Sequence, residues 1–174
     1  AGIFAVASYK ATGSLIVGMG VGIAVGIGCN LISGLIVTRF KTPPFIATLA
    51  MMTSARGAAL LYTNGQNIYQ LDQFVIFGQG DIFGVPTPVV FMIGIALLTW
   101  YILDYTRFGR HLYAIGGNEE AARASGIKVN GTKMWAYAIS GAFVGLSGVL
   151  FMSRVNAGLP NAGIGFEFDA MTAS

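Results

Sequence analysis

Charge is what this chain has least of. Asp, Glu, Lys and Arg supply only 10% of its 174 residues. An average soluble domain carries roughly 25%, and a water-facing surface cannot be built from so few. Cysteine is nearly absent. The lone Cys29 sits inside an apolar run and excludes an intrachain disulfide framework and a thiolate metal cluster. Histidine occurs once, at His111, with no cysteine or carboxylate at metal-ligand spacing, so no metal site is expected. The 5 prolines and 25 glycines follow no Gly-X-Y period, which removes collagen-like and low-complexity readings. The glycines at 18–26 and 78–84 miss the G-x-G-x-x-G pattern and bring no Walker lysine, so the chain has no phosphate cradle of its own. No catalytic constellation stands out, and no enzyme is expected. The net charge of +3 is carried without an RNP-like, zinc-finger or basic-zipper pattern, which excludes nucleic acid as a partner.

What remains is apolar: 55% of residues are hydrophobic and the mean hydropathy is +0.69. Residues 13–37 run 25 positions without a charge, enough to cross a hydrocarbon core of about 30 Å at about 1.5 Å per residue. Residues 134–153 and 86–103 give two further spans. Residues 43–63 give a fourth, which carries Arg56 near its middle. An arginine at that depth costs at least about 2.5 kcal/mol unless it faces a partner or water, so the segment reads as a buried, channel-facing or re-entrant helix. Residues 1–9 look like the tail of another span. The expected fold is therefore all-α, a polytopic membrane helix bundle with about four complete transmembrane spans plus one partial. It forms a single membrane domain over 1–174, read as a fragment of a longer protein.

The basic residues orient it. Arg39 and Lys41 follow the first long span, and Arg107, Arg110, Arg123, Lys128 and Lys133 fill residues 106–133. By the positive-inside rule both stretches face the cytoplasm, while Lys10, residues 64–85 and the C-terminal stretch face outward. Gly18, Gly22 and Gly26 recur every four residues, as do Gly141 and Gly145, and such smooth stripes let helix backbones approach in lipid. Packing within the chain is the favoured use of these stripes over a dimer seam.

The cytoplasmic segment 106–133 is long for a connection, where about 4 to 6 residues is usual. Within it Asn118 is a good N-cap, and Glu119 and Glu120 place negative charge on the first turn. Ala121, Ala122, Arg123 and Ala124 propagate a helix that Gly126 ends. A helix of about two turns is marginal in water and must dock against something, either its own membrane domain or a cytosolic partner. Asn130-Gly131 reads as a tight turn.

The stretches KTPPFIATLAMMTSARGAALLYTNGQ, TRFGRHLYAIGGNEEAARASGI, SRVNAGLPNAG and FEFDA closely resemble the membrane permease subunits of bacterial ABC importers for ribose, galactose, xylose and related sugars. The likeness covers 39–173; the first forty residues match more loosely. Near the end, Phe168, Met171 and Thr172 depart from the family's usual residues. The resemblance implies a multi-pass protein of the bacterial inner membrane, without a cofactor of its own. It implies a second permease subunit, identical or not, two cytosolic ATPase subunits that bind the ATP, and an extracytoplasmic sugar-binding protein. Asn118 to Gly126 would be the helix that meets the ATPase. Phe45, Arg56, Asn64, Gln66, Asn156 and Asn161 are candidates for contact with the pathway or the binding protein, although amides in loops more often make turns. Related permeases for nucleosides, signalling sugars or branched-chain amino acids share these features. An ion-coupled secondary transporter is the rival of another class; it would need intramembrane carboxylates or histidines, which the confident spans lack.

Overall fold

A computed structural model describes residues 1–69, 76–82, 84–160, 163, 165, 166 and 172. Eight helices lie among them: α1 (Gly2–Thr12), α2 (Leu15–Phe40), α3 (Pro44–Thr63), α4 (Ile76–Gln79), α5 (Thr87–Tyr105), α6 (Arg107–Gly117), α7 (Glu119–Ala124) and α8 (Val129–Val155). Of these, α2, α3, α5 and α8 are long and apolar enough to cross a membrane. The fold is an all-α polytopic bundle. Four two-residue strands accompany it, β1 (Ile68–Tyr69) paired with β4 (Ala157–Gly158) and β2 (Asp81–Ile82) with β3 (Val85–Pro86), both antiparallel.

Local chemistry sets the helix ends. Pro44 opens α3 where an N–H would lack a partner in any case. At the other ends, Lys41, Asn64 and Asn156 take left-handed conformations with φ of 53°, 50° and 53° and turn the chain out of α2, α3 and α8. Inside the apolar helices hydroxyls are satisfied within their own turn. Ser33 Oγ donates to the Cys29 carbonyl at 3.1 Å and Thr38 Oγ1 to that of Gly34 at 2.8 Å, so neither hydroxyl is left unpaired in lipid.

The bundle is centred on α2 and α8. Gly22 and Gly26 of α2 face Gly141 and Gly145 of α8 so closely that a Cβ at Gly145 would stand 2.6 Å from Ile23 Cα and 2.7 Å from the Gly22 carbonyl oxygen. Gly34 likewise lies under the Tyr137 ring. The stripes thus serve packing inside the chain, and dispersion between touching backbones replaces the hydrophobic drive that lipid removes. The short α1 packs one face into the bundle. Its Ile3, Ala5, Val6 and Tyr9 join Val149 and Met152 of α8 in the buried core. By contrast α3 buries only Ala47 and Thr63, and α5 only Thr87.

Chain ends of the helices sort as the basic bias requires. At one end Lys10 Nζ donates to the Tyr69 carbonyl at 3.0 Å, Gln79 Nε2 to that of Arg154 at 3.0 Å, and β1 meets β4. At the other, Lys41, Arg123 and Lys133 line one groove. The segment 43–63 is a continuous helix joining the two ends, so the re-entrant alternative falls away. Asn130-Gly131 is not a turn: α8 begins at Val129 and carries both residues in its first turn.

Candidate functional site

The basic end holds a compact arrangement built around α7. Asn118 has extended backbone, and its Oδ1 accepts from the Ala121 N–H at 3.0 Å, which satisfies one of the free donors of the first turn. Beyond the last turn, the Ile127 N–H donates to the Ala122 carbonyl at 3.1 Å and the Gly126 N–H to that of Arg123 at 3.0 Å. Gly126 has φ +83°. This pair of bonds with a left-handed glycine is the Schellman arrangement, so six helical residues are closed at both ends. Ala122 is buried and anchors the inner face, while Glu120, Ala121 and Arg123 are exposed.

Glu119 is tied down. Its Oε2 lies 2.6 Å from Lys133 Nζ on α8, and its Oε1 lies 3.3 Å from Arg123 Nη2 one turn along α7. The hydrogen bond from Lys133, assisted by its charge and by Arg123, holds the Glu119 carboxyl below its ordinary range. An open groove of about 1110 Å³ separates α7 from the α2–α3 turn; Lys41, Thr42, Pro43 and Pro44 form one wall, and Glu119, Glu120 and Arg123 the other.

Two features here escaped the sequence reading. Lys133 stands fourteen residues beyond Glu119, a separation that no local periodicity marks. The sequence leaves 106–117 within a connection, whereas the structure forms α6 there, capped by Thr106 Oγ1, which accepts from the Gly109 N–H at 3.2 Å. Its pattern was legible: Phe108, Leu112 and Ile115 sit three and four residues apart and are half-buried, with Arg107, Arg110 and His111 exposed beside them.

The remaining candidates do not form one site. Phe45 is exposed at the basic end of α3. Arg56 is half-buried further along that helix, with no hydrogen bond or ion pair to another described residue. Asn64, Gln66 and Asn156 lie at the opposite end, brought into one neighbourhood by the β1–β4 pairing. Asn64 and Asn156 are there as left-handed C-caps. Asn161 lies outside the described residues.

Long apolar helices joined along a glycine seam, with a doubly capped short helix held at the basic end, define a multi-pass membrane protein that presents a rigid element at one end of its bundle. The chain belongs to the family described as branched-chain amino acid transport system / permease component, which matches residues 1–174. This is a family of transport permeases rather than of enzymes. The chain is similar to the ribose import permease protein of Escherichia coli (strain K12), with 40% identity over 163 residues, 91% of this chain and 51% of that one. It is 44% identical to the ribose import permease protein of Bacillus subtilis (strain 168) over 144 residues, 81% of this chain and 45% of the relative. To the L-arabinose transport system permease protein of E. coli it is 33% identical over 174 residues, 99% and 53% of the two chains. The chain therefore spans about half the length of these relatives. No solved structure matches it.

Proposed function

We propose that the chain is part of the permease subunit of an ABC importer in the bacterial inner membrane, contributing to the pathway of a monosaccharide such as ribose or galactose. The permease pairs with a second permease subunit, receives its sugar from an extracytoplasmic binding protein, and is driven by two cytosolic ATPase subunits that hold the ATP. It needs no cofactor of its own. The observation that carries this reading is α7, a two-turn helix too short to stand alone, capped at both ends and presented at the basic face. A helix of that kind suits a contact that must pass on displacement without deforming.

The family description names branched-chain amino acids, whereas relatives at 33–44% identity carry the names of sugars. The sugar reading is preferred because the individual proteins matched at 33–44% identity over 81–99% of the chain carry sugar names. The test uses the full-length permease carrying Glu120→Lys or Gly126→Val. Each variant is expected in the membrane at normal levels, but without co-purifying ATPase or without binding-protein-stimulated ATP hydrolysis and uptake. Wild-type values for all of these would remove the assignment of α7. Uptake of labelled leucine in place of ribose would move the substrate class.

A further inference from the structure

Resting on the reading of α7 as the ATPase contact, we propose that Lys133 is a positioning residue: through Glu119 it fastens α7 to α8, so that α7, α8 and α2 move as one body. The caps at Asn118 and Gly126 hold α7 to its own chain neighbours, and neither reaches a membrane helix. Buried Ala122 packs its inner face without fixing it along the surface. The Glu119–Lys133 pair, at 2.6 Å, is the polar cross-link between α7 and a membrane-crossing helix among the described residues. Lys133 is well placed for this. Its side chain is 28% exposed, against 61% for Arg123, whose bond to Glu119 runs only along α7. A more exposed pair of that kind contributes little.

From Lys133 the connection continues without a gap. The next residue, Met134, rests against α2, with its Sδ 3.8 Å from Thr38 Oγ1. One turn further Tyr137 covers Gly34, and beyond it Gly141 and Gly145 lie backbone to backbone against Gly26 and Gly22. Interfaces packed this closely have no slack, so a push at one end is felt at the other. On the opposite side α7 faces the open groove, and no hydrogen bond or ion pair among the described residues crosses it to the α2–α3 turn. Among the described residues α3 buries only Ala47 and Thr63 and α5 only Thr87, so both are joined to this body by less packing than α2 and α8 share with each other. The structure therefore assigns the unit that moves with α7: α8 and α2, joined to it through Lys133 and the glycine seam.

A shared route is an argument from connection, so the test must measure coupling itself. Full-length permease, reconstituted with its ATPase subunits and substrate-loaded binding protein, is compared as wild type, Lys133→Gln, Lys133→Arg, Lys133→Glu, and Lys133→Glu with Glu119→Lys. The readouts are ATPase co-purification and the ratio of binding-protein-stimulated to basal ATP hydrolysis. Lys133→Gln is expected to keep co-purification and lower the ratio about 5-fold or more, the lower end of ordinary coupling energies. Lys133→Arg should retain the ratio, and the charge swap should recover most of what Lys133→Glu alone loses. An unchanged ratio in Lys133→Gln, or a swap no better than Lys133→Glu, overturns the proposal. Loss of co-purification in Lys133→Gln with no recovery on swapping would make Lys133 itself a docking contact, which also overturns it but leaves α7 as the ATPase contact. That reading falls separately, on intact docking and coupling in Glu120→Lys and Gly126→Val.

Discussion

Substitution of Gly26 by valine is expected to break the bundle at its middle. A Cβ built there meets the Gly141 carbonyl oxygen in hard overlap and stands 2.8 Å from the Gly145 Cα and nitrogen. Ordinary contact starts at 3.4 Å, so these atoms must retreat from 2.8 Å to at least 3.4 Å. None of them is the end of a flexible side chain. They belong to the α8 backbone, and α8 can yield only by moving away as a whole. Forcing extra methyl groups into a well-packed core costs about 1–3 kcal/mol, and a displaced seam also loses its neighbouring contacts, so a cost at or above the upper end follows. Gly20, on the same helix, meets nothing within 4 Å of its Cβ and supplies the control. The assay is thermal unfolding of the full-length permease in mild detergent, followed by the loss of its monodisperse peak. Gly26→Val should unfold several degrees below wild type and Gly20→Val close to it. Equal behaviour of the two variants would refute the seam, because only the seam distinguishes these positions.

Other outcomes follow from the basic end and from the orientation. Asn118→Ala removes the cap on Ala121 and should cost about 0.5–2 kcal/mol of local stability, read as faster amide exchange over residues 121–125 with the membrane helices unaffected. Gly126→Ala places a Cβ at φ +83° and should cost about 1–2 kcal/mol at the other end of α7, by the same measurement. Glu119 has its carboxyl lowered by Lys133, so its pair contributes fully above the ordinary carboxylate range and is lost as pH falls through the lowered folded value. Exchange protection of α7 should therefore stay level from about pH 7 to about pH 5 and drop only below about pH 4. In a Cys29→Ser background, an impermeant thiol reagent applied to intact cells should label Asn64→Cys and leave Lys128→Cys untouched; the reverse pattern would invert the orientation.

The spans were legible because three are long runs without a charge and the fourth carries only Arg56, and the runs at 13–37, 43–63, 86–103 and 134–153 fall on α2, α3, α5 and α8 within a few residues. The caps of α7 were legible too, since Asn118 and Gly126 act through bonds to their chain neighbours. Two kinds of feature were not. The Glu119–Lys133 pair depends on how α7 folds back against α8, which no local pattern encodes. The start of α8 lies upstream of the charge-free run, because that run opens only after Lys133 and Asn130-Gly131 favours a turn locally, while burial of Val129 and Thr132 carries the helix through them.

The seating of α1 bears on how such a protein is assembled. Ile3 and Val6 belong to α1, and the Val149 and Met152 they pack against belong to α8, far downstream in the sequence. During synthesis α1 and α2 enter the bilayer well before α8 exists. Until α8 arrives, the glycine face of α2 and the apolar face of α1 lack the partner they have in the folded chain. The seam is then closed late, by a helix about 120 residues downstream, and closure over so long a separation is slow. A nascent chain halted before α8 holds an open seam of bare backbone, the very surface another small-residue helix would fit.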